Sequence, residues 1–122
     1  MADNKQYVTQ PQENGNVLIS EDVIATIVSH AATDVEGVIG MSGKPGAEII
    51  EMISKKNWGK GIKITIGENN ELYIDCNVIV NYGLSVVNVA KAVQEAVISA
   101  LVAVANLKVE EVNVNICGIV RQ

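Results

Sequence analysis

Phenylalanine is missing from this 122-residue chain, and aromatic residues make up only 3% of it. Its core must therefore be aliphatic, built from Val, Ile, Leu and Ala. Cysteine is nearly as scarce: Cys76 and Cys117 have no CxxC partner, and His30 is the only histidine. A structural zinc site needs four such ligands, so neither a metal nor any other cofactor is expected. Basic residues number 9 against 14 acidic ones, a net charge of −5. An acidic chain repels phosphate backbones and anionic lipid alike, so nucleic-acid binding and charge-driven membrane docking are not expected. Long apolar runs are absent too. The densest, 96–105, is broken by Ser99 and falls short of the ~20 residues that span a bilayer. The N-terminus, "MADNKQYVTQPQENG", has no apolar stretch of the signal-peptide kind, which makes a reduced cytoplasm the simplest location.

What is present suits one domain. Apolar residues make up 48% of the chain, enough for a real core at this length. Residues 1–14 are polar and read as a flexible tail, leaving 15–122 as the folded unit. "NVLI" (16–19) is briefly extended. Ser20 is placed to cap a helix over 21–35, with Glu21 and Asp22 at the positive end of its dipole. Ile24, Ile27, Val28, Ala31 and Val35 recur at helical spacing, and Gly37 ends the run. "VIGMSGKPG" (38–46) is a connection, and "AEIIEMISKK" (47–56) a short helix. "IKITI" (62–66) alternates as a strand, "GENNE" turns, and 72–82 alternates again, predicting a hairpin. Ser85 is placed to cap a long helix over 86–105, and 109–120 is the last strand.

This order, α-(short α)-β-β-α-β, predicts an α+β fold of two layers, with the helices on one face of a three-stranded sheet. The even positions of 72–82 are apolar and face the helices. The opposite face then displays Tyr73, Asp75, Asn77, Ile79 and Asn81, with Asn113 and Asn115 from the last strand. Two explanations compete there. A solvated sheet is polar outward as a matter of course. Yet asparagine is a poor strand residue, and four of them in two strands suit a contact surface, with Tyr73 and Ile79 as apolar anchors. Gly118 is a candidate bulge that would shift this alternation. The outer side of the long helix carries the small residues Ala92, Ser99 and Ala103. Helix propensity alone accounts for them; so does the close approach of a second chain.

Catalytic chemistry is not legible. Ser20 and Ser85 have capping roles, and His30 with Asp34 is an ordinary i,i+4 pair. The carboxylates are scattered over helix faces, turns and strand starts, with no buried pair for acid–base work. Two overlapping GxxG patterns, "GMSG" and "GKPG" (40–46), match the backbone clamp of KH domains. The helix and strand order allows the comparison, so a KH-like nucleic-acid-binding module is the alternative function. Pro45 removes one N–H that such a clamp would use. A carrier with an acyl chain in its aliphatic interior is a third possibility.

Taken in order, "NVLISEDVIATIVSHAATDVEGVIGMSG", "NWGKGIKI", "LYIDCNVIVNYG" and "VEEVNVNICGIV" resemble the alkaline-shock / Gls-type envelope stress response family of Gram-positive bacteria, in particular its small YloU-like members. The resemblance runs from about Asn16 to Val120. It implies a small non-enzymatic α+β protein linked to cell-envelope homeostasis, with no catalytic residues to carry over. It further implies self-association and recruitment to the membrane by a membrane-anchored partner, and, through the YloU-like members, a link to lipid metabolism. The expected function is therefore a cytoplasmic scaffold or adaptor that forms homo-oligomers.

Overall fold

Ser20 shows how closely the chain is punctuated. It is the last residue of a strand and also the N-cap of the first helix, where its Oγ accepts from the Val23 N–H at 3.2 Å. The computed structural model describes residues 7–41 and 61–121. They form β1 (Tyr7–Gln12), β2 (Gly15–Ser20), α1 (Glu21–Thr33), β3 (Val38–Met41), β4 (Ile62–Ile66), β5 (Leu72–Asn81), α2 (Val86–Ala105) and β6 (Val109–Val120). The α+β class expected from the sequence is present. The expected strand count and element order are not: six strands lie in two sheets. The short helix expected over 47–56 lies outside the described residues.

β1 and β2 are an antiparallel hairpin with Gln12 opposite Gly15. Residues 7–12, which their composition assigns to a flexible tail, are thus a paired strand. Non-local bonds hold it. Gln10 Nε2 donates to the carbonyls of Ala105 and Asn106, each at 2.9 Å, so the hairpin caps the C-terminus of α2. The Asn70 side chain donates to the Thr9 carbonyl and accepts from the Thr9 N–H. Val8 is buried in the core.

The second sheet is organised by β5. β6 runs parallel to it along its whole length, with α2 as the crossover that parallel pairing needs. β6 therefore takes one edge of β5, and both other partners share the opposite edge. β4 pairs with Leu72–Cys76 as the expected hairpin, and β3 pairs with Val78–Val80, both antiparallel. The sheet is three strands wide but contains four. In sequence β3 reads as a connection because it is short and irregular: its register shifts between Val38 and Gly40.

The core is aliphatic, as the lack of phenylalanine demands. Leu72, Ile74, Cys76, Val78 and Val80 of β5 meet Ile62, Ile64 and Ile66 of β4, Ile24, Ala25, Val28 and Ala32 of α1, and Val89, Val93, Val97 and Leu101 of α2. Burying each larger side chain contributes about 1.5–3 kcal/mol. α1 and α2 pack on each other and on the sheet. The Ser85 Oγ accepts from the Asn88 N–H at 3.3 Å, as the capping pattern predicts. α2 ends on Asn106, left-handed at φ 55, with the Leu107 N–H on the Leu101 carbonyl at 3.1 Å. Asparagine here does what glycine usually does.

Candidate interaction surface

Alternation along β5 does sort its two faces. Tyr73, Asp75, Asn77, Ile79 and Asn81 share the side away from the helices, and parallel pairing sets them against β6 in rungs. Tyr73 lies opposite Glu111, Asp75 opposite Asn113, and Asn77 opposite Asn115. The amides close these rungs themselves: Asn113 Nδ2 donates to Asp75 Oδ1 at 3.0 Å, and Asn115 Nδ2 to Asn77 Oδ1 at 2.9 Å. These asparagines therefore stitch two strands together.

Asn77 corrects the expectation made for it. It is not displayed on an outer face; it is fully buried. The reason is its place beside the junction of β3 and β4, where its N–H donates to the Gly61 carbonyl at 2.8 Å. Tyr73, Asn113 and Asn115 are exposed, and Asp75, Ile79 and Asn81 are half-buried. Register shifts between Val78 and Ile79, so Cys117 is passed over and Ile79 pairs with Gly118, the bulge anticipated at that glycine. A Cβ built on Gly118 would lie 3.6 Å from Ile79, in ordinary contact.

Ala92, Ser99 and Ala103 belong to the opposite layer. Ala92 is half-buried, while Ser99 and Ala103 are exposed. The structure therefore does not bring them together with the amide rungs. A third group lies on the same helix, and two of its members, Ile98 and Val102, stand off the helix's main apolar stripe in the sequence itself. Val87, Ile98 and Val102 of α2 are 59, 40 and 50% exposed, although the same helix buries Val89, Val93, Val97 and Leu101. At 100° per residue the exposed three fall within about a sixth of the helix circumference. Gln94 lies on the flank between that strip and the core stripe, and its Nε2 donates to the Val112 carbonyl of β6 at 3.0 Å. The strip thus borders β6, where Ile119 and Val120 are also exposed. The signal in the sequence is angular: Ile98 and Val102 fall outside the arc of Val89, Val93, Val97 and Leu101.

α2 is long and apolar enough to cross a membrane by length and composition alone, but its valine stripe is packed in the core.

Reactive chemistry is muted. Burial, with the Asp75 charge as a lesser cause, pushes the Cys76 thiol up to about 12, and burial raises Cys117 as well. Neither is a ready thiolate. Partial burial raises the Tyr73 phenol, helped by Glu71, Glu110 and Glu111. Among the described residues no group of three or more His, Cys, Asp and Glu is placed to hold a metal. Asp34 closes α1 through its backbone N–H on the His30 carbonyl at 3.2 Å. A cleft of about 450 Å³ lies between β1, the β4–β5 turn and the end of α2. Its Gln10 and Asn70 amides are already committed to backbone groups, and Glu71, Lys108 and Glu110 line it. That lining does not suit an acyl chain. Of the GxxG segment, Gly40 and Met41 lie in β3; the rest lies outside the described residues.

Comparison with known proteins places these elements. The family model for alkaline shock protein 23, described as having a cell envelope-related function, matches residues 9–121. Two Bacillus subtilis proteins are similar, both named as uncharacterized. YqhY is 35% identical over 105 residues, covering 86% of this chain and 77% of its own. YloU is 32% identical over 107 residues, covering 86% of this chain and 88% of its own. The uncharacterized Spy1614 of Streptococcus pyogenes is 30% identical over 109 residues, 88% of this chain and 89% of its own. No solved structure matches significantly.

Proposed function

Because the chain belongs to the alkaline shock protein 23 family, we propose that it is a non-enzymatic cytoplasmic scaffold with a cell-envelope-related role. It acts by self-association and by contacts with other proteins, among them a membrane-anchored or lipid-metabolism partner that recruits it to the membrane. The observation behind this reading is the apolar strip of α2. A helix whose core stripe is complete still presents Val87, Ile98 and Val102 to solvent. Exposed apolar side chains gathered on one helix face, here with Lys91 among them, are a mark of interaction sites. The amide rungs of β5 and β6 contribute their exposed ends, Tyr73, Asn113 and Asn115, on the other face.

The test is recovery of tagged protein from native cytoplasm after cross-linking, beside light scattering over a concentration series. Oligomers or a reproducible partner lost in the Ile98→Glu, Val102→Glu double variant support the proposal. A monomer at every concentration with no cross-linked partner overturns it.

A further inference from the structure

We infer that β6 is the seam through which two copies of this chain join, by antiparallel pairing of its outer edge with the same edge of a second copy. This rests on the self-associating reading above and names its surface.

The two edges of the sheet differ. One is formed by β3 and β4, four and five residues long, meeting end to end, with Lys63 among them. Short strands and lysine are the usual protection against stray pairing. The other is β6, twelve residues long, with one side occupied by β5 and, among the described residues, no strand on its other side. Between Val112 and Val120 it contains neither proline nor charge. Beyond the Val112 carbonyl, which accepts from Gln94, such an edge presents a row of backbone donors and acceptors, a template for another strand. The apolar strip of α2 lies beside it, so a strand added there brings a second apolar surface with it.

Charge selects a second copy as the occupant. β6 opens on Val109, preceded by Lys108, then carries Glu110 and Glu111 and is followed by Arg121, so its opening end is net acidic and its far end basic. A two-fold axis through Asn115, with Cys117 passed over at the bulge, sets Glu110 of each copy opposite Arg121 of the other. Val112 then lies opposite Ile119. An edge with acid at one end and base at the other is complementary to itself when reversed, the condition for a closed two-fold interface. Opposite charges facing each other across strands are favourable, and like charges are not.

The experiment is a charge swap read by sedimentation equilibrium on the full chain. Arg121→Glu turns both ends of the seam repulsive and is expected to weaken dimerisation about tenfold. Adding Glu110→Arg to the same chain restores opposite charges across the axis and recovers most of the affinity. Both variants lose the stacking of Arg121 on the Tyr82 ring, so recovery in the second separates pairing from that loss. Hydrogen exchange provides an independent measure: amides of Val112–Val120 gain protection as concentration rises. A dimer indifferent to both variants, with β6 exchange independent of concentration, overturns the seam and leaves the scaffold reading standing. A strict monomer overturns the seam and self-association together.

Discussion

Asn115 Nδ2 donates to Asn77 Oδ1 at 2.9 Å, and the acceptor side chain has no exposed surface. The neighbouring rung, Asn113 to Asp75, has the same form but is exposed. Two similar bonds in different surroundings should differ in weight, because water replaces a lost partner only where it can reach. Asn115→Ala is expected to cost about 1–2 kcal/mol in urea unfolding, and Asn113→Ala within about 0.5 kcal/mol. Asn77→Lys, which would be harmless on an outer face, buries a cation and should cost about 3 kcal/mol or more.

The N-terminal hairpin offers a second test. Removing residues 1–6, which keeps β1 intact, is the reference truncation. Removing residues 1–14 exposes the partners of Val8, deletes β1 and uncaps α2 at Gln10. Loss of Val8 burial alone is worth about 1.5 kcal/mol or more, so the longer truncation should be clearly less stable by calorimetry.

The two sides of α2 should separate cleanly. Leu101 is fully buried and its neighbour Val102 is half exposed. Leu101→Ala is expected to cost about 2–5 kcal/mol. Val102→Ala should stay within about 0.5 kcal/mol while weakening self-association. Denaturation and sedimentation on the same pair of variants check both halves.

Alkaline pH should destabilise the fold. The Cys76 thiol is raised from 9.0 to about 12 in the folded chain. Unfolded molecules therefore ionise first. Its contribution is fully present below pH 9.0 and is lost as pH climbs toward about 12, by at most about 1.4 kcal/mol per pH unit. Cys117 and Tyr73 are shifted in the same direction and add to the slope. Urea midpoints measured from pH 8 upward should fall, and Cys76→Ala should flatten that fall.

Two glycines should respond differently. Gly37 has φ +99, and a Cβ there would meet Leu84 at 2.8 Å and Val89 at 3.0 Å. Gly37→Ala is expected to cost about 1–3 kcal/mol. Gly118→Ala meets only ordinary contact with Ile79, so its thermal midpoint should move far less.

Local signals carried much of the fold. Alternation in 72–82 separated the faces of β5, serines marked both helix starts, and "GENNE" marked the β4–β5 turn. What was not legible depends on distant partners. Tyr7–Gln12 looks like a polar tail because Gln10 and Thr9 are held by Ala105, Asn106 and Asn70. Val38–Met41 contains Gly40 and an irregular register, so propensity passes over it. The candidate surface was half legible. Parity collected the amides on one side, but Asn77 is buried by its position at the β3–β4 junction, which no local pattern encodes. Ile98 and Val102 are legible as residues off the main stripe of α2, but exposure of Val87 is not: on an apolar helix, the side left out of the core is decided by the sheet beneath it.

Met41 lies opposite Val78 and Ile62 opposite Cys76, so the chain departs from β5 and comes back one rung later, travelling the same way. As far as hydrogen bonding is concerned, β3 and β4 are a single hyphenated strand. Between them the two segments pair with Leu72–Cys76 and Val78–Val80, so one uninterrupted β5 templates two short strands far apart in sequence.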